Sequence, residues 1–553
     1  MVQQAPSAAD ARGAVAGRTS ESAAAHKAAY QPVHRARYVY DRRRPELGTL
    51  HQVVRENLKT LYAAAEQGFA GASLPGFVRK ELEAYVGCGL LSRGFALLSC
   101  EGCQEKKLVA FSCRGRGFCP SCMGRRMAQT AANAVDHILP KSAPLRQFVM
   151  TVPFELRAGL AYDRALATAV GRLFVDTVLG FYRRRMKELL GVRGQSGAIT
   201  VLQRVQADLR LNPHWHSAVL DGVFMPSDEP GSCPVFHPLG ELRSEELGDL
   251  LQLIRVRVLG FIEKRGVIEN RDELVLLDDA FCEREPALCE LARASVSGLA
   301  PAGPERRERR LLERVALRGE PGVTELGPLS VAELGFSLHA RTTVAASDTR
   351  GKEKLVRYLL RPPVAQERLH LLPDELVRIE LKRPFADGTV AVDLDPLSLL
   401  SRLAASVPPP RAHAAHYSGV LAPAAKLRPL IVPPPAELEA TAATDGHVHD
   451  HERPERPERP ERPKTHRSRY RPWAELMKRT FAADVDKCQS CGGRLKLVCF
   501  ITRKQTVERI LRSLGEPTDA PGLSPARDPP FYKSQVLRRR APVEQPQREL
   551  FAE

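Results

Sequence analysis

Apolar positions recur at helical spacing between Pro45 and Tyr85, where Leu50, Val53, Val54, Leu58 and Leu61 mark one face of an amphipathic segment. The pattern changes at RQFVMTVPF (Arg146 to Phe154), whose composition predicts a strand. Helical periodicity returns over residues 163–190, ends in the basic run Arg183-Arg184-Arg185 and stops near Gly191. GAITVLQRV (Gly197 to Val205) and HWHSAVLDGVF (His214 to Phe224) read as two further strands. Their closeness in sequence predicts antiparallel neighbours. A second long helix is predicted from about Ser244 to Lys264, whereas residues 266–335 are charged and show no assignable period. A helix near Lys352 to Leu360 is ended by Pro362-Pro363. Pro408-Pro409-Pro410 and Pro433-Pro434-Pro435 bracket a loop-rich stretch, and residues 452–463 repeat Glu-Arg-Pro four times, the composition of an extended, charged linker. Beyond it, Trp473 opens a short helix before Cys488-x-x-Cys491-Gly492-Gly493.

With 553 residues and 43% apolar content the chain can bury a sizeable core, and its length suggests about three domains. Lysine and arginine total 82 against 65 acidic residues, for a net charge of +17. That excess favours a polyanionic partner, nucleic acid first; an arginine-rich proteome is the bland reading. The chain has no run of eighteen apolar residues, so neither a membrane span nor a membrane partner is expected. The segment MVQQAPSAADARGAVAGRTSES lacks a continuous apolar stretch and reads as a mobile tail, not a signal peptide. The expected location is the reducing cytoplasm, where the twelve cysteines read as metal ligands or free thiols before disulfides.

Two cysteine pairs carry the strongest local signal. Cys100-x-x-Cys103 and Cys119-x-x-Cys122 are separated by fifteen residues, the spacing of a zinc ribbon. Each pair forms a tight turn whose thiolates face one point, and the two turns are expected to close one tetrahedral Zn²⁺ site. Buried free thiols are the alternative. Cys88 and Cys113 fit either as substitute ligands or as core cysteines. Lys106, Lys107, Arg114 and Arg116 lie between the pairs and Arg125-Arg126 follow, so the zinc module is expected to present a basic rim to DNA phosphates. Cys488-x-x-Cys491 is half a site, a zinc candidate in need of completing ligands such as Cys499 or distant histidines.

His214-Trp215-His216 lies in a predicted strand. Side chains alternate along a strand, so both imidazoles face one side and Trp215 the other. Two imidazoles so placed can share a divalent ion; on spacing alone, a satisfied surface pair competes with that reading. His447-Val448-His449 and His449-Asp450-His451 fall in the linker and read as composition.

The string GAITVLQRVQADLRLNPHWHSAVLDGVF resembles the active-site strands of the insertion-sequence-91-type transposases, members of the HUH endonuclease superfamily. FSCRGRGFCPSCMGRR resembles their N-terminal zinc domain and LVRYLLRPPVAQERL their tyrosine segment; HYSGVLAP (His416 to Pro423) and the CxxCGG tail are also similar to theirs. The resemblance runs in order over roughly residues 75 to 505. It implies an α+β fold: an antiparallel-sheet nuclease core with flanking helices, a small zinc-binding domain before it and a small Cys-x-x-Cys module after it.

The resemblance also implies Tyr358 as nucleophile and Mg²⁺ or Mn²⁺ on His214 and His216. A third ligand is expected, with Gln203 and Gln366 as candidates. Helical spacing puts Lys354 and Arg361 on the face of Tyr358, with Arg361 able to contact a phosphate. Without the resemblance, Tyr358 reads as an aromatic packed at a helix end. Two-tyrosine members carry a second tyrosine where this chain has Lys354, so the resemblance points to a one-tyrosine subtype. The implied activity is rolling-circle transposition: nicking and rejoining single-stranded or hairpin DNA at element ends through a 5′-phosphotyrosine.

The corresponding division is a disordered tail to residue 45, a helical and zinc-binding domain over 46–140, a catalytic domain over 141–405, a Pro-rich and ERP-repeat linker over 406–466, a CxxC module over 467–510 and a disordered basic tail over 511–553. A replication initiator or relaxase would share the chemistry, although the chain has no Walker-type Gly-Lys-Ser/Thr string to suggest a helicase fusion. A non-catalytic zinc DNA-binding protein would keep the cysteines without nicking. A zinc hydrolase built on His214 and His216 would need a His-Glu pairing that the sequence does not offer.

Overall fold

The computed structural model describes residues 43–191, 193–225, 233–268, 280–301, 322–432, 473–481 and 484–540. The predicted tail through residue 42, the ERP repeat with His447, His449 and His451, and residues 541–553 lie outside the described residues.

Helix α1 (Thr49–Ala63) buries Leu50, Val53, Val54, Leu58 and Leu61, the face set by the apolar period. The helical run does not continue to Tyr85. It widens into a π turn over Ala64–Phe69, and Pro75 then caps α2 (Gly76–Val86). A hairpin of β1 (Phe95–Cys100) and β2 (Lys106–Ala110) precedes α3 (Pro120–His137), which opens on Pro120, where a missing N–H costs nothing.

The centre of the molecule is an antiparallel sheet with helices on both faces. Its elements are β3 (Leu145–Thr151), α4 (Arg157–Tyr162), α5 (Arg164–Leu190), β4 (Gly197–Val205), β5 (Leu211–Leu220), β6 (Gly222–Met225), β7 (Val235–Pro238), α6 (Ser244–Lys264), α7 (Ala280–Arg284) and α8 (Pro286–Ser297). They are followed by β8 (Thr324–Gly327), β9 (Ser330–Glu333), β10 (Phe336–His339), β11 (Thr343–Val344) and α9 (Thr349–Leu359). Next come β12 (Leu369–Leu371), β13 (Val377–Glu380), β14 (Thr389–Leu394), α10 (Pro396–Ser406), β15 (Ala415–Gly419) and α11 (Arg428–Ile431). The strand order is β15-β4-β5-β3-β10-β9-β8, with β11 also on β3. As their proximity predicts, β4 and β5 are antiparallel neighbours. Strands β8 and β9 come from a stretch whose charges hide any period.

Strand alternation sorts the two faces. Trp215 and Val219 of β5 pack with Val170 and Phe174 of α5 and with Leu251 and Ile254 of α6. Ala218 and Leu220 point the other way and join Ala131 and Ala134 of α3 with Leu355, Val356 and Leu359 of α9. Helix α5 starts on Asp163, whose carboxylate accepts the Leu166 N–H at 2.9 Å, and stops at Gly191 in the left-handed region, φ +68. It comes close to the sheet at Gly171, where a Cβ would stand 2.6 Å from Nε1 of Trp215. By length and composition α5 could cross a membrane, but 56% of that apolar window is buried in this packing, as in a core helix.

A buried group fastens β3 to the end of β5. Arg146 donates to both carboxylate oxygens of Asp221 at 2.9 and 2.8 Å, Tyr182 of α5 donates to the same carboxylate at 2.7 Å, and Arg146 also reaches the Ala340 carbonyl. Such a pair is held by geometry and full hydrogen bonding, not by charge alone.

Several sequence expectations need correction. The segment over 467–510 is not separate: after α12 (Trp473–Phe481), β16 (Leu495–Ile501) pairs antiparallel with β1, making a three-stranded sheet β16-β1-β2 backed by α13 (Lys504–Ser513). The stretch read as a basic tail holds Phe531 in the N-terminal core and β17 (Leu537–Arg540) as the fourth strand of β12-β13-β14-β17. The linker begins later than residue 406, because β15 completes the central sheet beside β4. Cys282 and Cys289, expected as thiols, are joined in a disulfide.

Candidate functional site

His214 and His216 sit on the α3/α9 face of β5, both buried, with ring centroids 4.9 Å apart. Nδ1 of His214 donates to the Asn212 carbonyl at 2.6 Å, which leaves Nε2 with its lone pair. Nδ1 of His216 is hydrogen-bonded to the side-chain amide of Gln147 at 2.8 Å, and Nε2 of His216 is buried without a partner. The two ends of an amide are isosteric. As placed, the Gln147 Nε2 faces Nδ1; turning the amide over puts its oxygen there, so that Nδ1 donates and Nε2 offers a lone pair. Burial depresses His214 to a pKa of about 4; burial, then the neighbouring His214 and Arg361, depress His216 to about 2. Both imidazoles are therefore neutral near pH 7, the form that binds a metal. The orphaned buried Nε2 of His216 and the oriented lone pair of His214 fit a divalent ion, with the Gln147 amide turned to accept from the His216 ring.

Tyr358 closes the site from α9. The helix begins on Asp348, whose carboxylate accepts the Gly351 N–H at 2.7 Å, and it is anchored by Lys352, whose Nζ donates to the carbonyls of Pro140 and Lys141. Leu355, Val356 and Leu359 bury its apolar face and turn Tyr358 outward, 44% exposed. The Tyr358 ring stands edge-on to His216 at 5.7 Å between centroids, and the Arg361 guanidinium lies over it at 4.8 Å. Lys354 is exposed on the same helix.

The structure gives Gln203 and Gln366 positions that the sequence does not suggest. Gln203 lies opposite His214 on β4, but its amide nitrogen donates to the carbonyls of Tyr358 and Leu359 at 3.1 and 2.8 Å. It ties the last turn of the tyrosine helix, where carbonyls run short of intrahelical partners, to the sheet. The Gln366 amide lies against Gly48 instead. Gln147, which touches His216 directly, escapes sequence reading. It is an interior polar residue in an apolar strand, and the β3–β5 register sets it opposite Ala218, diagonal to His216 on the same face.

The cysteines assemble differently from the expected single site. Cys119 and Cys122, at the start of α3, meet Cys88 and Cys113: the Cys88–Cys119, Cys88–Cys122 and Cys113–Cys122 sulfur distances are 3.6, 3.8 and 3.4 Å. Cys100 and Cys103 belong to another group, with Cys488 and Cys491. Sulfur atoms around a tetrahedral Zn²⁺ stand about 3.8 Å apart, from a Zn–S bond of about 2.3 Å. Both groups fit Zn²⁺. The reason for the regrouping is topological: Cys-x-x-Cys spacing fixes a turn, whereas strand and helix packing decide which turns meet. The basic rim is divided accordingly. Arg114 and Arg116 are exposed beside the first group, Arg125 and Arg126 follow in α3, and Lys106 and Lys107 begin β2 next to the second. The Arg126 guanidinium is half-buried and reaches toward the Arg114 carbonyl.

Comparison with known proteins adds two matches. Residues 58–152 match a family described as "Transposase zinc-binding domain", defined on insertion-sequence-91 elements, and residues 197–428 match one described as "Putative transposase". Neither the curated proteins nor the solved structures contain a match. The first region holds all of Cys88, Cys113, Cys119 and Cys122; the second holds the two histidines, Gln203, Tyr358 and β15.

Proposed function

The chain belongs to the insertion-sequence-91-type transposases, with their N-terminal zinc-binding domain, and on that premise we propose that it nicks and rejoins single-stranded DNA through Tyr358 during rolling-circle transposition. The observation that carries the reading is the meeting of His216, Tyr358 and Arg361 at one exposed point above the buried histidine pair. In this reading the antiparallel sheet with α3 and α9 is an HUH nuclease core.

His214 and His216 would hold Mg²⁺ or Mn²⁺, and Gln147 would fix the His216 ring. A divalent ion there supplies Lewis-acid polarisation of a non-bridging oxygen of the scissile phosphate. Tyr358 loses its phenolic proton to solvent and its oxygen bonds to phosphorus. The bond from phosphorus to the 3′ oxygen breaks in line, and that oxygen takes up a proton. The products are a 5′-phosphotyrosine and a free 3′-hydroxyl. The phosphodiester energy is retained in the adduct, so the reverse step rejoins strands without ATP. Arg361 adds positive charge where the phosphate approaches. Lys354, in place of a second tyrosine, fits a mechanism with one adduct at a time.

A single-stranded or hairpin substrate suits this site, because the phosphate must reach a tyrosine at the sheet surface without a paired strand in the way. The test is cleavage of single-stranded, hairpin and fully duplex oligonucleotides carrying element ends, with and without Mn²⁺. Cleavage confined to the first two and dependent on Mn²⁺ is expected. Equal cleavage of duplex DNA, or cleavage indifferent to chelator, would contradict the reading.

A further inference from the structure

We propose that Cys100, Cys103, Cys488 and Cys491 form a second zinc site, built from two distant parts of the chain, and that it clasps the segment from α12 to α13 onto the N-terminal domain. The four sulfurs lie within 4.8 Å of one another, with Cys100–Cys491 at 3.4 Å and Cys103–Cys488 at 3.6 Å. These distances are too long for disulfides, whose sulfurs stand about 2.05 Å apart, and right for a shared tetrahedral ion.

The two turns are built alike. The Cys100 N–H donates to the Glu105 carbonyl and the Cys488 N–H to the Gly493 carbonyl; Gln104 N–H reaches back to Cys100 and Gly492 N–H to Cys488. The residue after the second cysteine is left-handed in each, Gln104 at φ +61 and Gly492 at φ +73. Backbone N–H groups of Gly102 and Gly493 each point at a sulfur from 3.3 Å, an arrangement that stabilises thiolates. Space is equally tight: a Cβ on Gly493 would stand 3.0 Å from the Cys100 sulfur and 3.1 Å from that of Cys491. Glu105 accepts from the Cys488 thiol at 3.0 Å and from the Ser490 hydroxyl; loading the ion releases the thiol proton and leaves Glu105 on Ser490.

The pairing of β1 with β16 brings the turns together, since Cys100 lies opposite Leu495 at one end of the ladder. This small sheet has little else to hold it. Its own buried apolar residues are Leu91, Phe95, Leu495, Val507 and Leu511, whereas Leu497, Val498 and Phe500 of β16 are exposed. A core this small is of the kind that a structural metal stabilises. The clasp reaches further through α12. Arg479 donates to Asp136 of α3 and to Glu353 of the tyrosine helix, each at 2.7 Å. Arg357, one position before Tyr358, pairs with the same Glu353 and also contacts Thr480.

The experiment measures zinc in the full-length protein purified under reducing conditions, together with amide hydrogen exchange. Wild type should carry two Zn²⁺ per chain and Cys488→Ser/Cys491→Ser one. Exchange across Leu495–Ile501 and Trp473–Phe481 should quicken at least tenfold in that variant, with Leu211–Leu220 unchanged. Cys491→His, which keeps a ligand, should retain two metals, and its Co²⁺-substituted form should show a shifted visible spectrum. One zinc in the wild type, two in the double serine variant, a Cys491→His cobalt spectrum identical to wild type, or disulfide-linked peptides joining these cysteines would overturn the site. Zinc loss without faster exchange would overturn the clasp.

Discussion

His216 and Tyr358 stand edge to face at 5.7 Å, one on an interior strand of the sheet and the other on the helix packed over it. The histidine is buried and oriented by Gln147, whereas the tyrosine is open to solvent and flanked by Arg361. In the proposed mechanism an ion held on one side acts on a phosphate that the other attacks. His214→Ala and His216→Ala should each lower Mn²⁺-dependent cleavage by more than about 100-fold, beyond the range for loss of a ligand's partner. His449→Ala should leave it unchanged. Equal damage from the linker histidine would show that the paired imidazoles are not special.

In the same reading Gln147 orients a ligand without being one. Gln147→Leu removes the hydrogen bond to Nδ1 at nearly constant volume and should weaken Mn²⁺ binding by roughly 10- to 100-fold. Activity should return at high Mn²⁺, and Gln147→Glu, which still accepts from Nδ1–H, should restore affinity. Calorimetric titration of the three proteins decides the matter; unchanged affinity in the leucine variant would remove Gln147 from the site.

Parts of this arrangement are legible in the sequence. Alternation places both histidines opposite Trp215, because strand geometry has a fixed period of two. The apolar face of α1 and the stop of α5 at Gly191 follow from local rules. Tyr358 is legible only through resemblance, since an aromatic before a proline pair has no distinctive pattern. Gln147 and the regrouped cysteines are not legible, because each depends on which distant elements become neighbours. Cys100 meets Cys491 through strand pairing across most of the chain, and no local spacing encodes that.

The contact between Gly171 and Trp215 links the core to the chemistry. A methyl group at Gly171 would press on the indole from 2.6 Å, on the face of β5 opposite the histidines. Gly171→Ala should destabilise the protein by about 1–3 kcal/mol, the usual range for overpacking, read from the urea midpoint. Unchanged stability would mean that α5 shifts freely over the sheet and does not fix β5.

The first cysteine group should act on DNA binding more than on chemistry. Cys119→Ser should lower zinc content by one per chain and disorder the turn that carries Arg114 and Arg116. Binding to single-stranded DNA should weaken, with its salt dependence flattened by about one unit of slope per lost phosphate contact. Cleavage at saturating oligonucleotide should fall much less, since His214, His216 and Tyr358 are held by other elements. A steep, unaltered salt slope in Cys119→Ser would detach these arginines from the DNA.

The most direct test of the account is the chemical identity of the adduct. Wild-type protein incubated with a 5′-labelled and a 3′-labelled single-stranded element end plus Mn²⁺ should become covalently linked only to the fragment 3′ of the nick. Mass spectrometry of the digested adduct should place the phosphate on Tyr358. Tyr358→Phe, which lacks only the hydroxyl, should bind the same DNA with nearly wild-type affinity and give no adduct. An adduct at wild-type level in Tyr358→Phe, or a phosphate mapped to another residue such as Tyr417, would contradict the central claim.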